Sequence, residues 1–120
     1  MKNWAKTLIV AVALVLPAIS SPIAWSQPEA QRIEISARRF SFTPGEITVK
    51  KGQPVVLVLK SMDVTHGLRI RDLGIDVKIK AGETMEVKFT PNAVGDFVGH
   101  CSVFCGSGHG SMAITVHVVA

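Results

Sequence analysis

The 120-residue sequence has no tyrosine, only two tryptophans and two cysteines, and nine acidic side chains. Its length rules out a multi-domain enzyme, since a chain of this size builds one core. The longest apolar run, from Thr7 to Leu16, stops at Pro17. That is about half of the roughly 20 residues a transmembrane helix needs. No Cys-x-x-Cys-His occurs, which excludes covalent haem. No carboxylate pair or nucleophile–base signature supports catalysis by the chain alone. Apolar residues at helical spacing never persist for two turns. With 48% hydrophobic and 18% charged residues, a disordered chain is excluded as well.

The apolar excess has a local source. Lys2 and Lys6 precede the apolar run, and a Ser/Ala/Pro stretch follows it to Ala24-Trp-Ser26. This is the order of a secretory signal peptide over residues 1–26, with small residues placing cleavage between Ser26 and Gln27. An uncleaved anchor with Trp25 at the membrane interface is the alternative, and it would give the chain a membrane contact. No cysteine lies nearby to carry a lipid. The formal charge of +4 falls to +2 when Lys2 and Lys6 leave, because eleven basic residues then face nine acidic ones. A nucleic-acid partner does not fit that balance, and the doublets Arg38-Arg39 and Lys50-Lys51 read as solvated strand ends. Trp4 and Trp25 leave too, so residues 27–120 hold neither Trp nor Tyr.

Residues 27–120 read as one all-β domain. Short runs rich in Val, Ile, Phe and Thr alternate with turns at Pro44-Gly45, Lys51-Gly52, Ala81-Gly82 and Pro91-Asn92. Strands are predicted at 32–37, 46–50, 54–61, 67–70, 75–80, 84–90, 95–100 and 113–119. Met85, Val87 and Phe89 alternate with polar neighbours, which predicts one buried and one wet face. Val55 to Leu59 is apolar throughout and predicts a central strand covered on both sides. The sum is a two-sheet sandwich of seven or eight strands.

The chemistry is concentrated between Cys101 and Met112, where two thiols, the imidazole of His109 and a thioether share one Gly-rich stretch before the last strand. Soft sulfur donors beside imidazole select copper over hard cations. His66 follows the strand at 54–61, and strand ends of a sandwich meet at one pole, so it can join that loop. Two cysteines in an exported chain are by default a disulfide. His109 and Met112 in the same loop favour a metal instead, since a disulfide needs neither. Zinc is served by a Cys2His2 set, although structural zinc sites draw their ligands from separated knuckles and do not recruit Met. A glycine-rich phosphate loop would need a following helix, and none is predicted. His100 points away from Cys101 along its strand and His117 alternates with Val116 and Val118, so both stay outside the site.

A mononuclear blue-copper site uses one Cys, and here there are two. Cys-x3-Cys-x3-His-x2-Met at 101–112, with Asp63-Val-Thr-His-Gly67 upstream, resembles the binuclear copper A (CuA) motif of cytochrome c oxidase subunit II. The similarity runs from about Phe40 to Val119 and includes Pro44 to Val49 and the Gly82 turn. It implies a cupredoxin-like Greek-key β-sandwich. It implies further that Cys101 and Cys105 bridge two copper ions, with His109 and the Val103 carbonyl on one and His66 and Met112 on the other. Val64, Leu68, Val103 and Phe104 would form the apolar shell. Two departures stand out: Val103 occupies a position usually held by Glu, which keeps the carbonyl and loses the carboxylate, and the aromatic electron-accepting cluster of larger subunit II proteins is missing.

What the resemblance implies is an exported, periplasmic electron-transfer protein and not an enzyme by itself. Its partners would be cytochrome c or another redox protein and a terminal oxidase or reductase. The alternatives are the CuA subunit of a haem-copper oxidase, docked on subunit I, and a periplasmic copper chaperone. Six donors around the metal favour retention over delivery.

Overall fold

The computed structural model describes residues 10–23 and 29–120. Lys2, Lys6 and the Ser26–Gln27 bond, on which the signal-peptide reading turns, lie outside them. Residues 10–23 form neither helix nor strand, and their apolar side chains, Leu14 and Leu16 among them, are exposed and take no part in the core. Among the described residues no helix is long and apolar enough to cross a membrane.

Nine strands follow: β1 (Gln31–Arg38), β2 (Ser41–Thr43), β3 (Glu46–Lys50), β4 (Val55–Ser61), β5 (His66–Ile70), β6 (Ile75–Ile79), β7 (Thr84–Phe89), β8 (Gly95–His100) and β9 (Ala113–Val119). They form a four-stranded sheet in the order β2-β1-β4-β7 and a five-stranded sheet in the order β3-β9-β8-β5-β6. Both sheets are mixed, because β1 runs parallel to β4 and β3 parallel to β9. The sandwich is the expected architecture, with one more strand than the sequence indicates. β2 is too short to show alternation and is closed by Pro44, whose ring removes a ladder donor.

The core lies between the sheets. Ile35, Leu57, Leu59, Leu68, Ile79, Ile114 and Val116 are all at most 1% exposed, and each fully buried aliphatic side chain contributes about 1.5–3 kcal/mol of transfer free energy. β4 is central to its sheet as expected, but its outward face is covered only in part, since Val56 is buried and Val58 half-buried. β7 is the edge strand beside it, so Met85 is exposed while Val87 and Phe89 are half-buried, and the fully buried face expected there is not formed.

The topology brings the metal-type donors to one pole. β5 and β8 are neighbours in the five-stranded sheet, paired at Arg69 and His100. His66 therefore opens β5 at the same end at which the chain leaves β8 into Cys101.

Candidate metal centre

The segment from Cys101 to Met112 leaves β8 and returns into β9, and it is closed at its base by Cys101 N–H donating to the Met112 carbonyl at 3.0 Å. Inside it, Met112 N–H donates to His109 O and Ser111 N–H to Gly108 O, forming a 3-10 turn over His109–Ser111. Ser102 N–H donates to Gly67 O at 3.3 Å, which ties the loop to β5. The loop is fixed by backbone hydrogen bonds rather than by a disulfide. Cys101 and Cys105 are both buried free thiols with their sulfurs 3.8 Å apart.

Around these sulfurs the other donors converge. His66 Nδ1 is 3.9 Å from Cys101 Sγ and His109 Nδ1 is 3.6 Å from Cys105 Sγ. Met112 Sδ is 3.8 Å from Cys105 Sγ, and the Val103 carbonyl oxygen is 3.2 Å from Cys101 Sγ. All six residues named from the sequence thus meet at one pole. His66, Cys101 and Cys105 are buried with their donor atoms within 4.8 Å of one another, which is the spacing of a set that can hold a metal ion. Met112 is fully buried and His109 half-buried. His100 is exposed, and His117 faces outward to hydrogen-bond Asp96 at 2.6 Å, so neither joins the set.

Burial pushes the Cys105 thiol up to about 11, and the neighbouring Cys101 adds to the rise, while the Arg39 charge opposes it. A soft cation binding here must displace a proton held this tightly, so metal and proton compete for the same sulfur. His66 and Ser61 are the only buried polar residues among those described, and both are satisfied. Ser61 Oγ donates to the Val64 carbonyl. His66 Nε2 meets Asp63 Oδ1 at 2.6 Å, which occupies that nitrogen and leaves Nδ1 turned to the sulfurs. This is the arrangement by which a carboxylate orients a ligating imidazole. Partial burial would raise the Asp63 carboxyl, but the N–H groups of Arg39 and Val64 and the His66 ring outweigh it and hold the group at about 2.

Three features escape sequence reasoning. Asp63 stands in the motif before His66, yet nothing in its spacing announces a contact with the ring. Arg39 is exposed just past the end of β1, as read, and in addition donates from Nε to the Cys105 carbonyl at 2.9 Å and from its backbone N–H to Asp63 Oδ2 at 2.8 Å. The Phe40 ring lies so close under Gly106 and Gly108 that a Cβ on either would come within 2.9 and 2.4 Å of it. The expected apolar shell is also corrected at one position. Leu68 is buried and Val64 and Val103 half-buried, but Phe104 is 79% exposed, its ring tilted 51° against the His109 ring at 5.7 Å. A hollow of about 320 Å3 between Arg39, Val64, Thr65 and Phe104 has Cys105 in its wall.

The comparisons with known proteins bear on the family and the fold. The cupredoxin-like domain family matches residues 7–114. Cytochrome c oxidase subunit 2 of Thermus thermophilus is 31% identical over 91 residues, covering 76% of this chain and 67% of that one. A second Thermus thermophilus protein of the same name is also 31% identical over 91 residues, but the chain spans only 54% of its length. Among solved structures, the periplasmic domain of subunit II of cytochrome oxidase of Bradyrhizobium japonicum shares the fold, with a TM-score of 0.69 at 21% identity over 77% of this chain and 86% of that one. With the family match spanning residues 7–114 and a cytochrome c oxidase subunit 2 matching 76% of the chain at 31% identity, the chain belongs to the cupredoxin-like domain family and, within it, to the group of cytochrome c oxidase subunit 2.

Proposed function

We propose that this chain is a one-electron carrier whose pole holds a binuclear copper centre. The observation that carries the reading is the pair of free thiols 3.8 Å apart with an imidazole nitrogen beside each. A single ion of the blue-copper type needs one sulfur and leaves the other buried, unpaired and without a role. Cys101, Cys105, His66, His109, Met112 and the Val103 carbonyl are the groups that would hold the copper, the two thiolates carrying most of its charge. Copper held by these residues would supply a one-electron couple.

The protein's own residues do the rest. Asp63 fixes the His66 tautomer and ring plane, and the bond between Cys101 N–H and the Met112 carbonyl holds the two ends of the loop together. Leu68, Val64 and Val103 limit water at the sulfurs, which strengthens every charge interaction there. Phe104 and the half-buried His109 bring the site to the surface, where an electron has the shortest path to a partner.

A c-type cytochrome is the donor this reading assigns, and a haem-copper oxidase subunit I or another terminal reductase the acceptor. The order of residues 1–26 supports an extracytoplasmic placement, with cleavage at Ser26–Gln27 separating a carrier from an anchored subunit. Rapid mixing of the copper-loaded protein with reduced cytochrome c tests the carrier role. Reoxidation of the cytochrome with matching reduction of the protein is expected, and no transfer over minutes contradicts it.

A further inference from the structure

The two halves of the centre belong to different parts of the chain, His66 to the start of β5 and the sulfurs to the loop after β8. One turn touches both. Arg39, between β1 and β2, donates its backbone N–H to Asp63 Oδ2, and Asp63 holds His66 Nε2 through its other oxygen. The Arg39 side chain donates from Nε to the carbonyl of Cys105. The adjacent Phe40 ring forms the floor under Gly106 and Gly108, the residues that carry the loop from Cys105 to His109.

From this connectivity we propose that Arg39 is a positioning residue for the metal centre, locking the His66 side and the Cys105 side into one register through its two N–H groups, with Phe40 supporting the loop from below. It touches no donor atom, and it acts through Asp63 and through the Cys105 backbone. The inference rests on the reading of this pole as a copper centre, yet the clamp is a property of the chain itself. A loop tied in this way has its donor geometry set before metal arrives, so binding need not also order it.

Charge and hydrogen bond separate cleanly here. In Arg39→Gln the amide nitrogen sits the same number of bonds from the backbone as Nε, so the donor to Cys105 is kept and the charge removed. Arg39→Met removes both and, like Gln, keeps the side chain only as far as the Nε position, so Gln and Met differ in the donor and not in reach. The backbone N–H to Asp63 persists in each, so the variants isolate the side-chain half of the clamp.

Two readouts test the proposal on the full chain, with Arg38→Met as the control for loss of a nearby surface charge. In the copper-free protein, amide hydrogen exchange over 105–112 is expected to speed up on the order of tenfold in Arg39→Met and to return to within about twofold of wild type in Arg39→Gln. In the copper-titrated protein, Arg39→Met is expected to lose about 10- to 100-fold in affinity, the usual effect of removing a residue behind a ligand, and to show an altered electron paramagnetic resonance pattern, both recovered by Arg39→Gln. Unchanged loop exchange in Arg39→Met overturns the proposal, as does a Gln variant that behaves like Met, which would assign the effect to charge. If wild type binds no copper, the functional reading fails, while the exchange comparison still decides the clamp.

Discussion

His66 Nε2 lies 2.6 Å from Asp63 Oδ1, and this contact decides which nitrogen of a fully buried imidazole faces the cysteines. Asp63 is in turn held by two backbone N–H groups, from Arg39 at 2.8 Å and Val64 at 2.7 Å. The carboxylate is therefore fixed before it fixes the ring. Asp63→Ala is expected to weaken copper binding about 10- to 100-fold without unfolding the sandwich. Competition titration against a chelator of known affinity, alongside circular dichroism, measures both, and an unchanged affinity would remove Asp63 from the account.

Met112 is fully buried with its sulfur 3.8 Å from that of Cys105. Met112→Leu conserves volume and should cost less than about 1.5 kcal/mol of stability. As a thioether is a weak, tuning ligand, the variant is expected to keep its copper and shift its reduction potential, while His66→Ala and His109→Ala lose copper. Voltammetry checks the first and metal analysis the second. A potential identical to wild type in Met112→Leu would take Met112 out of the ligand set.

Gly108 has no room for a side chain, because a Cβ there would lie 2.4 Å from the Phe40 ring. Gly108→Ala must displace the ring or the loop, a strain of about 1–3 kcal/mol. Lowered thermal stability together with weakened copper loading is expected, and Phe40→Leu in the same chain should restore part of each. A Gly108→Ala variant with wild-type melting and loading would show that Phe40 does not bear on the loop.

His117 sits on the outer face of β9, its Nδ1 at 2.6 Å from Asp96 and its Nε2 at 3.8 Å from Glu46. The Asp96 hydrogen bond raises its pKa above the usual 6.5, desolvation opposes it, and the charges of Asp96 and Glu46 add to the rise. A raised folded value means the protonated ring stabilises the fold below about pH 6.5, and this stabilisation is lost as pH climbs through the folded value. Melting of the copper-free protein should accordingly fall between pH 6 and 8 more in wild type than in His117→Asn. The copper spectrum of His117→Asn at fixed pH should match wild type, and a changed spectrum would contradict the placement of His117 outside the site.

Much of this architecture is written in local pattern. The apolar run Val55–Leu59 gives a strand interior to its sheet, and the Gly and Pro turns divide the chain at nearly the places where the strands end. His66 and Cys101 are 35 residues apart, and the sandwich itself brings them together, since strand ends share a pole. What local pattern does not carry is contact between distant turns. Arg39 and Phe40 look like an ordinary strand end because their partners are distant in sequence, Asp63 by 24 residues and Cys105, Gly106 and Gly108 further still. Phe104 is apolar and sits between half-buried Val103 and buried Cys105 in sequence, yet it projects outward because the loop turns between the two cysteines. Met85 follows strict alternation and is still exposed, since β7 is the edge strand of its sheet.

On the function proposed, Cys101 and Cys105 together hold a pair of copper ions. Loading the purified chain with copper and measuring metal per protein alongside its electron paramagnetic resonance spectrum tests this most directly. Two coppers per chain and one unpaired electron shared over both are expected, a signal lost in Cys101→Ser and in Cys105→Ser. One copper per chain with a signal localised on a single ion would contradict it.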